Sequence, residues 1–170
     1  MASDELDKVE LPALEQLQSL GWSYVEGAKL SPDESDERNS LKDVVLEKRL
    51  TESLKRINPW INDENLRKVV RDLTKTQYAN LVEANQTIWT QINQCVSVMQ
   101  DLGKGNKGQT VHIIDFENFD NNEFLCTNQF KVSGVNQNII PDILCFVNGL
   151  PLAVIECKSP YITNPMEAGI

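Results

Sequence analysis

Apolar residues recur every three or four positions along the first part of the chain, then crowd into strand-like runs along the rest. Leu11, Leu14, Leu17 and Leu20 predict a helix over 10–20, which Gly21-Trp22 interrupts. Ser40, with Asp43 three residues on, resembles a capping box, and Leu46, Leu50, Leu54 and Ile57 follow at helical spacing until Asn58-Pro59 stops the run. Leu66, Val69, Val70 and Leu73 predict a third helix, and Leu81, Ala84, Ile88 and Ile92 a fourth that reaches about Cys95. Gly103-Lys-Gly-Asn-Lys-Gly108 lacks the spacing of either phosphate-binding signature and reads as a flexible turn. Beyond it the predicted strands are 111–116, 123–132, 139–147 and 150–157, the last two joined through Asn148-Gly149 and apolar on both faces, as strands are when helices cover both sides of a sheet. Helices followed by strands predict an α/β fold. It is a single domain over 1–170, helical over about 1–100, with a mixed central β-sheet flanked by helices over about 109–160.

Composition narrows the class. The chain has 170 residues, 41% of them apolar, which is enough for a core. No apolar run is long enough to span a membrane, and the acidic start differs from a signal peptide, so a soluble, cytoplasmic protein with no membrane partner is expected. Cys95, Cys126, Cys145 and Cys157 form no Cys-x-x-Cys pair and read as reduced thiols. The net charge of −9 excludes a broad basic face for nucleic acid. The acidity is local, however: ten acidic residues against three basic ones leave −7 in the first forty residues, concentrated in 31–38, which reads as a solvated loop. Acidity is compatible with a site at which Mg²⁺ supplies the positive charge.

The candidate chemistry lies at the last two strands, where Pro141-Asp142 is followed, after thirteen residues, by Glu156-Cys157-Lys158. Taken singly, these residues need mean no more than a chance Glu-x-Lys and a surface ion pair. Asp142 and Glu156 each adjoin an apolar run, and a buried carboxylate needs a cation or good hydrogen bonds. If Asn148-Gly149 were a two-residue turn running into a regular ladder, the two carboxylates would fall on opposite faces. A three-residue loop, 147–149, with Gly149 left-handed in a bulge would instead put Asp142, Glu156 and Lys158 on one face, the carboxylates diagonal neighbours. The bulged register is the one expected. Two carboxylates on adjacent strands suit Mg²⁺, and Lys158 can orient the attacking water and stabilise charge on a phosphate, which implies phosphodiester hydrolysis.

Pro-Asp-x13-Glu-x-Lys resembles the PD-(D/E)xK nuclease signature. The wider wording, from Ile113-Ile-Asp-Phe-Glu-Asn118 through Pro141-Asp-Ile-Leu-Cys-Phe-Val-Asn-Gly-Leu-Pro-Leu-Ala-Val-Ile-Glu-Cys-Lys-Ser-Pro160, is similar to the N-terminal domain of type I restriction enzyme R subunits, and the helical stretch Val45 to Pro59 echoes the same family. The resemblance implies a restriction-endonuclease-like core in which Asp142, Glu156 and Lys158 are catalytic and Asp142 and Glu156 bind Mg²⁺. It also implies double-stranded DNA as substrate, methylation and specificity subunits as partners, and ATP consumed by motor domains of the same subunit. No Gly-x-x-x-x-Gly-Lys-Ser/Thr occurs in the chain, so ATP is not expected to bind here. The family's Gln-x-x-x-Tyr helix would begin about where the sequence stops, and the chain is expected to be a fragment. Such nucleases commonly carry a supporting Glu on the first helix; Glu10 fits better than Glu15, although a solvated helical Glu is the simpler reading of either. Cys157 replaces an aliphatic residue and is expected to face away from the site. His112, Asp115 and Glu117 read as a strand residue and turn-flanking carboxylates. Two other readings remain open: a non-catalytic nuclease-fold docking module, and another PD-(D/E)xK enzyme such as a repair nuclease or junction resolvase.

Overall fold

The computed structural model describes residues 5–74, 80–134, 137–159 and 161. These belong to two compact units, one of Met1–Val44 with Phe124–Ile170, the other of Val45–Glu123. The class is α/β, as the sequence predicts.

In the first unit, a π-helical turn over Leu6–Glu10 leads into α1 (Leu11–Ser19). The helix therefore starts earlier than its leucines suggest. Leu14 is buried, while Leu11 and Leu20 are exposed, because steps of three residues drift by about 60° per step around a helix of 3.6 residues per turn. Trp22 N–H donates to Leu17 O and Gly21 N–H to Gln18 O, a Schellman closure that ends α1 as predicted. β1 (Ser23–Tyr24) runs parallel to β4 (Phe124–Asn128), β4 antiparallel to β7 (Ile143–Val147), and β7 antiparallel to β8 (Leu150–Ile155). The sheet is mixed, in the order β1-β4-β7-β8. Leu14 of α1 packs with Cys126, Ile143, Cys145 and Cys157 on one face. Toward the other, Phe146 meets Phe130 edge-on, and Arg38 stacks on the Phe130 ring while donating to Lys131 O and Leu41 O. The acidic segment is thus anchored through a buried arginine and is not wholly solvated.

Two predicted strand boundaries move here, each for a local reason. The 123–132 run breaks after Asn128, where Gln129 adopts φ 52°, and resumes as β5 (Val132–Ser133), paired with β6 (Asn138–Ile139). The 139–147 run is split at Pro141. β7 is buried along its whole length, but β8 is the sheet edge, with Leu152, Val154 and Ile155 exposed, so the expectation that both strands are covered holds only for β7.

In the second unit, α2 (Glu47–Ile57) begins well after the Ser40 cap predicted for it. Asp43 Oδ2 does accept from Ser40 N–H, as a capping box would, but the contact closes a turn, and Leu41 O is taken by Ser133 N–H. From Leu46 onward the predicted stripe is borne out, with Leu46, Leu50 and Leu54 fully buried, and so are Leu66, Val69 and Leu73 of α3 (Asp63–Thr74). α4 (Leu81–Gln94) is capped by Asn80, whose Oδ1 accepts from Glu83 N–H; the side chain of Leu81 lies outside the described residues. β2 (Val96–Asp101) and β3 (Asn106–Val111) form a hairpin that the sequence reading misses, giving 96–101 no element and reading 103–108 as a turn. The predicted strand 111–116 ends at Val111. Asn58 takes both backbone groups of His112, and Asp115 accepts from Glu117 N–H and Asn118 N–H, so side chains replace the ladder.

Candidate active site

The β7–β8 turn has two residues, not three: Val147 pairs with Leu150, and both Asn148 (φ 53°) and Gly149 (φ 81°) are left-handed, as a tight hairpin requires. The bulge exists but lies further along. Phe146 pairs with Pro151 and Cys145 with Ala153, leaving Leu152 without a partner. Pro151 has no N–H to give the ladder, which is why the pairing skips there. The extra residue restores the parity that the short turn removes. Ile143 then faces Ile155, and the same register carried one residue further sets Asp142 across from Glu156. The carboxylates become direct, not diagonal, neighbours on the face that Lys158 shares by alternation.

Asp142 is fixed twice, its carbonyl accepting from Gln129 N–H at 3.2 Å and its Oδ2 from Cys157 N–H at 2.7 Å. Its other carboxylate oxygen accepts no donor from the described residues. Lys158 Nζ donates to Cys157 O at 2.9 Å and lies 3.8 Å from Glu156 Oε2. Glu156 is half exposed and Asp142 partly so, which corrects the burial argument made from sequence: these groups need no cation to offset desolvation and are instead open to solvent-borne ligands.

The buried carboxylate is Glu10, 3% exposed. Its Oε1 accepts from Asn128 Nδ2 at 2.9 Å, and Asn128 Oδ1 accepts from Tyr24 O–H at 2.7 Å. The solvated reading therefore fails for Glu10 and stands for exposed Glu15. Glu5, Asn128 and Ser159 are further polar residues near the strand ends that sequence reasoning missed; Ser159 N–H donates to Glu5 Oε2. No signal for these contacts was available, because each joins positions more than a hundred residues apart. His112, Asp115 and Glu117 belong to the second unit. Among the described residues, no three His, Cys, Asp or Glu side chains converge as a metal site.

Cys157 lies in the core behind the site, on the α1 side. Its thiol is pushed up to about 11, chiefly by burial, then by Asp142, Glu10 and Glu5, with Lys158 acting the other way. A thiol kept neutral by the fold contributes stability that is complete below its unfolded value of 9.0 and is lost as pH rises toward 11, where only the unfolded chain has already ionised. The urea midpoint is expected to fall across this window, and to fall less steeply in Cys157→Ala. Equal slopes in the two proteins would show that Cys157 is not held neutral.

The family model described as type I restriction enzyme R protein N terminus matches residues 3–170. The chain is 37% identical over 154 residues to the type I restriction enzyme HindI endonuclease subunit of Haemophilus influenzae, a match covering 89% of this chain and 15% of that protein. A Methanocaldococcus jannaschii protein named for the MjaIXP type I restriction enzyme endonuclease subunit is 36% identical over 155 residues, with the same coverage. The chain thus spans about 15% of the length of these relatives.

Proposed function

The chain belongs to the family of type I restriction enzyme R protein N-terminal domains, and from that premise we propose that it is the nuclease domain of a restriction subunit, hydrolysing phosphodiester bonds of double-stranded DNA. The observation that supports this reading is the register of β7 and β8, whose last pair, Ile143 with Ile155, leaves Asp142 and Glu156 as the next residue on each side, with Lys158 two residues on. The donor set fits Mg²⁺: hard carboxylate oxygens, few in number, on a solvent-open strand end where water and phosphate complete the shell. Asp142 and Glu156 would hold the ion, which would supply positive charge to the phosphate and a more acidic attacking water. Lys158, whose ammonium already lies within 4 Å of Glu156, orients that water and stabilises charge on the phosphate. Glu10 supports the site from behind through Asn128.

In this reading ATP is consumed by motor domains elsewhere in the subunit, which assembles with methylation and specificity subunits. The intact Asp142, Glu156 and Lys158 weigh against a docking module without catalysis, and the match along 3–170 weighs against a stand-alone repair nuclease or resolvase.

The test uses the chain by itself. The chain is expected to fold cooperatively and to take up Mg²⁺ or Mn²⁺ in calorimetry, while its −9 charge predicts that it cuts supercoiled plasmid poorly or not at all. Heat of binding that is unchanged in Asp142→Ala would remove the metal site. Robust nicking that disappears in Glu156→Ala would place the site correctly but show that DNA positioning needs nothing more than this chain.

A further inference from the structure

A thiol–imidazole pair in the second unit is used by none of the chemistry above. Cys95 follows α4 with φ 63° and ψ 172°, a backbone conformation that non-glycine residues seldom hold. Its Sγ lies 3.4 Å from His112 Nδ1. Asn58, fully buried, grips the backbone of His112 on both sides: Oδ1 accepts from His112 N–H at 2.9 Å, and Nδ2 donates to His112 O at 2.8 Å. The pair opens into a cavity of about 390 Å³ that is also lined by Ile57, Asn93 and Phe116, with Asp115 and Glu117 as its other titratable groups. Cys126, Cys145 and Cys157 are buried, whereas Cys95 is partly exposed.

We propose that Cys95 is a selectively reactive thiol, deprotonated through His112, which forms mixed disulfides with low-molecular-weight disulfides entering this cavity. Nδ1 takes the thiol proton, and the sulfur attacks one sulfur of the incoming disulfide. A new S–S bond forms as the old one breaks, and the departing thiolate recovers the proton from the imidazolium. One protein thiol and one disulfide become one mixed disulfide and one small thiol, with no net oxidation. A cavity of this size admits a small organic disulfide. The other three thiols are buried and lack that opening.

The experiment treats the folded chain at neutral pH with dithiodipyridine, whose leaving thiol is coloured. One equivalent is expected to react at least about tenfold faster than the other three, to vanish in Cys95→Ser, and to slow about tenfold or more in His112→Ala. Added imidazole should restore part of the lost rate in His112→Ala, a rescue that a merely structural histidine would not show. Should His112→Ala lose its thermal transition, His112→Gln takes its place with the same readings. Absence of a fast equivalent, a fast equivalent that survives Cys95→Ser or the loss of His112, or slowing that imidazole does not relieve overturns the proposal.

Discussion

In an assembled restriction complex carrying Asp142→Ala or Glu156→Ala in its R subunit, DNA cleavage is expected to fall by a factor on the order of a thousand or more, while ATP hydrolysis and translocation continue. The size follows from geometry. Asp142 is held by Cys157 N–H and by Gln129 N–H, and Glu156 is the residue opposite in the register carried one step past Ile143 and Ile155. Removing either leaves a single carboxylate, too little to fix a hard divalent ion beside a phosphate. Lys158→Ala is expected to be as damaging to cleavage and yet to leave metal uptake measurable, since an ammonium group is not a ligand. Cutting, ATPase and translocation assays on the same preparations separate the outcomes. Cleavage that persists in either carboxylate variant would show that the site lies elsewhere.

The largest expected loss of stability is at Asn58. Its side chain is completely buried and makes three hydrogen bonds, to Leu54 O, His112 O and His112 N–H. Asn58→Ala strips the side-chain partner from both backbone groups of His112, in a part-buried place, and leaves Leu54 O with the Asn58 N–H alone. A cost of about 2 kcal/mol is expected, since a buried polar group left unpaired costs about 1–3 kcal/mol and water can partly replace the lost partners of His112. Urea unfolding of the chain would read it as a lowered midpoint at unchanged slope. A change below about 0.5 kcal/mol would mean that the segment after Val111 does not depend on this contact.

What the sequence made legible was whatever depends on near neighbours. The stripes of α2 and α3 repeat within a dozen residues, and the buried Leu46, Leu50, Leu54, Leu66, Val69 and Leu73 are those the spacing picks out. The β7–β8 hairpin that leads to Asp142 and Glu156 was legible for the same reason, although the bulge was sought at Gly149 and is found at Leu152, beside a proline that marked it. The hairpin β2–β3 was not legible: Asn106-Lys-Gly-Gln-Thr is polar, contains glycine, and is held as a strand by a partner and not by propensity. Glu10 was not legible either, since its burial depends on Asn128.

The unpartnered Leu152 bears on how related chains should be searched for. Thirteen residues separate Asp142 from Glu156 here: five in β7, two in the turn, and six before Glu156, one of which the bulge absorbs. Without that absorbed residue, a regular hairpin with the same turn would set the two carboxylates opposite each other across a gap of twelve. The interval between the acids is therefore a record of whether a bulge is present, not a constant of the chemistry. A search that insists on one interval would discard chains whose sites are built in the same way, whereas one that accepts both, and asks of each whether a proline or a similar break accounts for the odd residue, would keep them.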